Sequence, residues 1–376
     1  MSDFFNMPEL MAKIYKSHIE SIRPYEPGKP IEEVERELGI SNAIKLASNE
    51  NPLGVSPKAL RAIRHALRKV HLYPDGGCFY LKEKLALELG VKTDQLIIGN
   101  GSNEIIELLV RGFLEPGERV LTSETSFLVY ALIAQISGGE LTAVPMKNFR
   151  YDLQGILDQI NERTRLVFIA NPNNPTGTYV TSDEVEEFLS KVPRETIVCF
   201  DEAYYDFVET KDFPYTLFHV KSNKPNVIVL RTFSKSYGLA GLRIGYGIAS
   251  PEMIAYLNKV RQPFNVNQLA QVAATAALDD KRFLWRTKRL VSREKLYLYR
   301  KFDQLGIRYV PTQANFILFE AGPEAPQIFD GLLKRGIIVR PMKAYGLSAH
   351  IRVTIGKRSE NRAFVHALKR ILKRKP

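Results

Sequence analysis

A lysine in a turn between two apolar runs is the residue of this sequence best suited to act as a nucleophile. Lys235 follows the run 227–230 and precedes the run 244–248, with hydroxyl residues and glycines around it and Arg243 eight positions later. A lysine among apolar neighbours and near another cation has a lowered pKa, as a Schiff-base lysine requires. The neighbouring Ser, Thr and Arg side chains are donors suited to a phosphate. The segment indicates amine chemistry beside a phosphate site, whereas a lone lysine in a turn is most often exposed.

Two acids end another apolar run, residues 197–200, at Asp201 and Glu202. A buried carboxylate at a strand end needs a cationic partner, which could be a metal ion or a side chain. The chain has six His and two Cys, and none of them has the spacing of a zinc site. We therefore expect no metal, with an ion pair as the plain alternative for Asp201 and a solvated position for Glu202.

Two more segments place turn residues after strand-like runs. Residues 99–104 read Gly-Asn-Gly-Ser-Asn-Glu, one glycine short of a dinucleotide-binding motif. The segment still indicates an anion site at a helix start, to which Ser102 adds a hydroxyl. The alternative is a plain tight turn. Residues 171–177 read Asn-Pro-Asn-Asn-Pro-Thr-Gly after the run 166–170. Ligands bind at the carboxyl ends of strands in open α/β sheets, so this loop is either a ligand loop or an ordinary surface loop.

Strands and helices alternate along the part of the chain that carries these segments. Apolar runs predict strands at 95–98, 119–121, 166–170, 197–200, 227–230 and 244–248. Helical periodicity and capping residues predict helices at 58–70, 103–113 and 182–192. This alternation predicts an α/β fold in which a mostly parallel sheet has helices on both faces, a three-layer α/β/α arrangement.

The pattern changes after about residue 265. Helices are predicted at 268–278, at 283–305 and from 360, and strands at 316–320, 336–340 and 351–355. A length of 376 residues also favours two domains. We therefore predict a large domain over 45–275, and a smaller α+β domain that joins 276–376 to the N-terminal segment 1–44.

Composition excludes several classes of protein. The chain is 45% apolar and 25% charged, which is ordinary for a folded protein and unlike a disordered one. A net charge of +12 could suit nucleic acid or an anionic ligand, but much of it lies in helical runs typical of solvated faces. Two cysteines, no apolar run of membrane-spanning length and no signal-peptide pattern favour the cytoplasm, without a membrane or nucleic-acid partner.

Taken in order, the four chemical segments closely resemble those of the fold-type I pyridoxal-phosphate (PLP) aminotransferases of class I and II. Within them, the chain is similar to the histidinol-phosphate branch. Supporting matches extend the resemblance over roughly residues 20 to 360, at 46–54, 73–75, 263–267 and 351–356.

This resemblance implies PLP as the cofactor and gives each residue a role. Lys235 binds the cofactor covalently and later moves the proton between substrate and cofactor. Asp201 pairs with the pyridine nitrogen, while Tyr204 and Asn174 hydrogen-bond the phenolic oxygen. Phe127 stacks on the ring. The residues expected to hold the phosphate are Gly101, Ser102, Asn103, Thr232, Ser234 and Arg243, with Tyr73 from the second subunit of a homodimer.

The same resemblance implies a substrate. Tyr25, Asn49, Arg340 and Arg352 are expected to bind it, and two guanidiniums suit a phosphate better than one. The expected reaction takes histidinol phosphate and 2-oxoglutarate to imidazole acetol phosphate and glutamate, in L-histidine biosynthesis. Two alternatives share the scaffold, an aromatic amino-acid aminotransferase and a phosphothreonine-type decarboxylase. A basic nucleic-acid-binding protein on a retired scaffold is the alternative from another class.

Overall fold

A computed structural model describes residues 16–20, 22, 24 and 30–373 of the chain. Over these residues the strands are β1 (Ile44–Lys45), β2 (Leu96–Gly99), β3 (Arg119–Ser123), β4 (Glu140–Val144), β5 (Thr164–Ala170), β6 (Ile197–Asp201), β7 (Val227–Thr232), β8 (Gly245–Ile248), β9 (Tyr309–Val310), β10 (Phe316–Glu320), β11 (Ile337–Ile338), β12 (Arg340–Pro341) and β13 (His350–Thr354). The α-helices are α1 (Ile31–Leu38), α2 (Pro57–Ala66), α3 (Phe79–Leu89), α4 (Ser102–Phe113), α5 (Val129–Ile136), α6 (Leu153–Leu157), α7 (Ser182–Lys191), α8 (Leu217–Lys221), α9 (Pro251–Val260), α10 (Gln268–Leu278), α11 (Lys281–Leu305), α12 (Ala325–Leu333) and α13 (Arg358–Leu372).

The largest sheet within the described residues has the strand order β2-β8-β7-β6-β5-β3-β4. Strands β3 to β7 pair in parallel, and β8 runs antiparallel to both of its neighbours, β7 and β2. Every residue of β6 is buried, so both of its faces are covered, as the parallel part of a sheet requires, and the antiparallel strands β2 and β8 are buried throughout as well. The predicted α/β class with a mostly parallel sheet is confirmed.

A second group of elements carries the rest of the described chain. Strands β12, β13, β10 and β9 form an antiparallel sheet in that order, and β1 pairs in parallel with β11. One apolar core packs residues between 59 and 278, and another packs Leu46, Tyr204 and Phe207 with residues between 291 and 368. This partition supports the division into 45–275 and 1–44 with 276–376, which we retain as a proposal.

Local capping explains where several helices begin. Ser56 Oγ accepts a hydrogen bond from Ala59 N at 3.3 Å, and Pro57 takes the first position of α2, which suits a residue without an N–H. Thr181 and Glu184 form a reciprocal capping box before α7. The sequence predicted the cap at Ser56, whereas α7 is capped by Thr181, one residue before the N-cap expected at Ser182.

Two predicted elements differ from the structure, and one strand was not predicted. The helix expected over 58–70 ends at Ala66 and continues as a 3-10 turn over Leu67–Lys69. The strand expected over 336–340 is two short strands, because the chain passes from β11, beside β1, to β12, beside β13. Strand β4 had no apolar run to reveal it, since it lies at the sheet edge and buries only Val144.

In the described part of the chain, no helix combines the length and apolarity that a bilayer crossing needs.

Candidate active site

A cavity of about 220 Å³ opens at the carboxyl ends of β5, β6 and β7. Its wall combines residues from the central sheet, the loop after β1 and the smaller antiparallel sheet. The predicted site residues that line it are Asn49, Ser102, Asn103, Phe127, Asn174, Asp201, Tyr204, Thr232, Ser234, Lys235, Arg243, Arg340 and Arg352. Ligand-binding loops at this edge are what a mostly parallel sheet predicts.

Lys235 lies three residues beyond the end of β7, and its half-buried side chain lines this cavity. Its Nζ donates to the backbone oxygen of Ser48 at 3.2 Å. Burial is the main cause that lowers the pKa of Lys235 to about 8, and the positive charges of Arg352 and Arg243 lower it further. An amine with such a pKa is partly uncharged near neutral pH, which a nucleophile or a proton carrier requires.

Asp201 is the last residue of β6, and its carboxylate is almost fully buried. Tyr130 Oη donates to Asp201 Oδ2 at 2.8 Å, and the backbone N–H of Ala203 donates to Oδ1 at 3.2 Å. Burial raises the pKa of Asp201 to about 6, while the hydrogen bond from Tyr130 acts in the opposite direction. This carboxylate can pair with a buried cation that enters the cavity.

Tyr204 and Asn174 each have their oxygen engaged by a protein donor. Tyr204 Oη accepts from Asn49 Nδ2 at 2.9 Å, and Asn174 Oδ1 accepts from Arg352 Nη1. Burial raises the pKa of Tyr204 to about 12, so its hydroxyl stays protonated at neutral pH. Both side chains therefore have donor groups available for an anionic oxygen in the cavity.

The start of α4 and the loop after β7 meet to form a basic recess. Gly101 has a φ of 80°, and any side chain there would collide with the guanidinium of Arg243. Arg243 Nη1 lies 3.5 Å from Ser234 Oγ, and Ser102 and Asn103 begin α4. A helix start with hydroxyls and an arginine is suited to a phosphate.

Arg340 and Arg352 are direct partners across β12 and β13. Arg352 Nη2 donates to the backbone oxygen of Ala47 at 2.7 Å. Arg352 Nε is buried without a hydrogen-bond partner, and no carboxylate of the described residues forms an ion pair with Arg352. A buried guanidinium in this state is a binding point for an anion.

Three predicted site residues are not among those that line the cavity; the first is Gly101, which lies against Arg243 just before Ser102. Tyr73 is 82% exposed and stacks on Phe264 with ring centres 4.8 Å apart. Tyr25 lies outside the described residues.

Sequence reasoning missed two aromatic residues of the cavity wall, Tyr130 and Tyr345. Tyr130 also stacks on Phe168 at 4.8 Å between ring centres, with an angle of 3° between the rings. The signal available for Tyr130 was its position three residues after Phe127, which places both near the start of α5. Tyr345 follows no motif, and nothing in the sequence indicated it.

The prediction of a solvated Glu202 is wrong. Its side chain is buried, it pairs with Arg231 Nη2 at 2.8 Å, and it accepts from Thr216 Oγ1. Arg231 follows the β7 residue that pairs with Asp201, so the parallel register brings the two charges together. Glu202 thus holds β6 and β7 together beside the cavity.

The family model for class I and II aminotransferases matches residues 41–368 of this chain. A histidinol-phosphate aminotransferase of Moorella thermoacetica is 51% identical over 352 residues, covering 94% of this chain and 91% of the relative. One from an Anaeromyxobacter species is 50% identical over 357 residues, covering 94% and 98%. The crystal structure of histidinol-phosphate aminotransferase from Sinorhizobium meliloti in complex with pyridoxal-5'-phosphate has a TM-score of 0.87 and 31% identity, covering 96% of this chain and 97% of that one.

Proposed function

The chain belongs to the class I and II aminotransferase family, and on that premise we propose that it is a PLP-dependent histidinol-phosphate aminotransferase. It exchanges the amino group between histidinol phosphate and 2-oxoglutarate, giving imidazole acetol phosphate and glutamate, a reaction of L-histidine biosynthesis. The observation that carries the proposal is one cavity that joins a half-buried lysine, a buried carboxylate and two arginines.

The described residues fit PLP part by part. The recess of Ser102, Asn103 and Arg243 suits its phosphate, and the carboxylate of Asp201 suits a protonated ring nitrogen. The orphaned Nε of Arg352 suits the anionic group of a substrate beside it. When bound, PLP supplies an electron sink for the charge that develops on the substrate carbon.

The protein side chains supply orientation and proton transfer. Lys235 Nζ, the pKa of which burial lowers to about 8, can take up a proton and return it near neutral pH. Asp201 keeps its partner nitrogen protonated because a buried carboxylate favours a neighbouring positive charge. With PLP bound, Tyr204 and Asn174 would donate to its phenolic oxygen.

Two arginines facing each other across a strand pair favour a substrate that carries a phosphate. Arg340 and Arg352 are register partners on β12 and β13, and both line the cavity. A phosphate has three acceptor oxygens and up to two charges, so two guanidiniums can share it. The carboxylate of glutamate or of an aromatic amino acid needs only Arg352.

Arg340→Ala is expected to weaken kcat/KM for histidinol phosphate about tenfold or more, since a lost hydrogen bond to a charged group costs roughly 1.5–3 kcal/mol. The value for phenylalanine or tyrosine should change less. Arg352→Ala should weaken both classes of substrate. The measurement is glutamate formation from 2-oxoglutarate with each amino donor.

Arg335→Ala is the matched control, because Arg335 is an exposed arginine whose Nη1 donates to the backbone oxygen of Gly331, away from the cavity lining. Equal losses for Arg340→Ala across all donors would make Arg340 a structural residue. A wild-type preference for phenylalanine over histidinol phosphate would favour the aromatic aminotransferase.

We also propose a homodimer in which Tyr73 completes the cofactor site of the partner subunit. Its exposed ring lies in a region with several other exposed apolar side chains, which is typical of an interface. These are Leu67, Val70, Leu72, Phe79, Tyr80 and Phe264. Sedimentation should therefore give a dimer.

Mixing two impaired variants tests the composite site. Dimers that combine one Lys235→Ala subunit with one Tyr73→Ala subunit contain one site with both changes and one site with neither. Activity should therefore exceed that of either parent when PLP is limiting. No recovery in verified mixed dimers would place Tyr73 at its own subunit's site, or at none.

The cytoplasm is the location we propose. Both cysteines, Cys78 and Cys199, are free and buried, which suits a reducing compartment.

A further inference from the structure

The side-chain amide of Asn49 contacts the hydroxyl of Tyr204. Asn49 Nδ2 donates to Tyr204 Oη at 2.9 Å, and both side chains are buried. Asn49 was predicted to bind substrate, but this contact connects it to Tyr204. What the contact does depends on which end of the amide faces the hydroxyl, because the nitrogen donates and the oxygen accepts.

Thr354 determines that orientation. The backbone N–H of Asn49 donates to Thr354 Oγ1 at 3.0 Å, and Thr354 Oγ1 donates to Asn49 Oδ1 at 3.1 Å. A hydroxyl has one proton to give, and here the amide oxygen receives it. If the amide were reversed, Thr354 Oγ1 would face two N–H donors of Asn49, the backbone N–H and Nδ2. Its own proton would then no longer have Asn49 Oδ1 as an acceptor. The amide nitrogen therefore faces Tyr204.

The backbone keeps this arrangement in place. Asn49 has a φ of 57°, a left-handed conformation that asparagine tolerates better than most residues. Asn315 Nδ2 donates to the backbone oxygen of Asn49 at 3.0 Å, and Thr354 N donates to the backbone oxygen of Leu46 at 2.8 Å. The loop after β1 is thus fixed on β13.

The consequence concerns the proton on Tyr204. Its oxygen already accepts from Asn49, so its own O–H must point elsewhere, and the cavity is the direction left. Asn174 shows the same arrangement, because its Oδ1 accepts from Arg352 Nη1 and its NH₂ group remains. The two side chains therefore present donors to the same cavity.

We propose that Asn49, held by Thr354, is a positioning residue that commits the hydroxyl proton of Tyr204 to the phenolic oxygen of PLP. This inference rests on the proposed function. Two committed donors favour the ionised oxygen over the protonated one, so the network sets the pH range in which the cofactor is in its working charge state.

The test is the pH dependence of the visible absorbance of the PLP-loaded protein. Asn49→Gly removes the amide, and glycine accepts the left-handed φ without strain. Tyr204 then donates less strongly to PLP, and the ionised form of the phenolic oxygen is less stabilised. The cofactor therefore keeps its proton up to a higher pH. The absorbance midpoint should rise by roughly half a pH unit to one unit, the scale of one hydrogen bond between neutral groups.

A matched pair at position 354 separates orientation from packing. Thr354→Val keeps the shape but removes the hydroxyl, so the amide loses its anchor and the midpoint should rise. Thr354→Ser keeps the hydroxyl, and the midpoint should stay at the wild-type value. An equal rise in Thr354→Val and Thr354→Ser would overturn the proposal.

The Tyr204→Phe background shows whether the effect passes through Tyr204. Asn49→Gly and Thr354→Val should then give no further rise, because there is no hydroxyl proton to direct. Additive shifts would overturn the proposal. Failure of the proposed function looks different, since the wild-type protein would then lack amino transfer and a PLP-dependent absorbance change.

Discussion

Replacing Lys235 by alanine is expected to abolish amino transfer, with a loss on the order of 10⁴-fold or more, because we propose that this one side chain serves as nucleophile and as proton carrier. The fold should remain, since Lys235 has one hydrogen bond, to the backbone oxygen of Ser48, and removing a buried charge relieves a desolvation cost. Circular dichroism and a coupled assay of glutamate formation measure the two outcomes.

Labelling identifies the lysine directly. Borohydride reduction of the PLP-loaded wild-type protein, followed by peptide mapping, should label Lys235 and no other lysine. Lys82 is the comparator, because burial also lowers its pKa although it lies outside the cavity lining. A label on Lys82 would show that an uncharged amine suffices without the site, and the assignment of Lys235 would be wrong.

The pH dependence of cofactor attachment follows from the same lysine. Attachment needs the uncharged amine, and the pKa of Lys235 is lowered to about 8. The rate at which cofactor-free protein takes up PLP should therefore rise with pH through about 8 and level off above it. A rise that continues towards pH 10 would mean that the amine behaves as an ordinary exposed lysine.

The sequence predicted much of the site because parallel strands end at a shared edge. Asp201 ends β6, Lys235 follows β7 and Asn174 follows β5, so motifs far apart in sequence had to meet once the sheet was recognised. Gly101 was predicted only as part of an anion site at a helix start, and its close approach to the guanidinium of Arg243 was not predicted.

The contacts behind these residues were not predictable. Tyr130 reaches Asp201 across 71 positions, and Asn49 reaches Tyr204 across 155. Neither has a local pattern, because a hydrogen bond between distant elements depends on how the elements pack. The prediction of a solvated Glu202 failed for a related reason. Its partner Arg231 lies on the neighbouring strand, and an acid after a strand is more often exposed to solvent.

For Tyr73 and Arg340, the sequence of one chain predicts a position but does not establish a role. Tyr73 is exposed and away from its own cavity, so the role that we propose for it needs a second subunit. Arg340 lines the cavity. Comparing the Arg340→Ala variant on different substrates separates a role in substrate binding from a structural role. Spacing gives the position of a residue along an element and does not give the ligand that it meets.

Asp201→Asn is expected to leave PLP bound while reducing turnover about a hundredfold or more, the scale of losing one preorganised electrostatic contact in a buried site. Asparagine has nearly the same shape; its amide oxygen can still accept from the N–H of Ala203, while its NH₂ group faces Tyr130 Oη, which would then accept instead of donate. A neutral amide cannot hold the ring nitrogen protonated, so the electron sink weakens although binding persists. Spectral titration measures PLP affinity, and single-turnover kinetics measure the chemical step.

Tyr130→Phe perturbs the same carboxylate without removing it. It keeps the ring that stacks on Phe168 and removes the 2.8 Å hydrogen bond to Asp201 Oδ2, which raises the pKa of the Asp201 carboxyl further. Its loss of turnover should be about tenfold, smaller than that of Asp201→Asn, because the carboxylate remains. In the double variant the Tyr130→Phe effect should largely disappear, since its target is gone. Near wild-type turnover in Asp201→Asn would show that the charge of Asp201 is not what sustains catalysis, whereas independent, multiplicative losses would mean that Tyr130 acts on the cavity by another route.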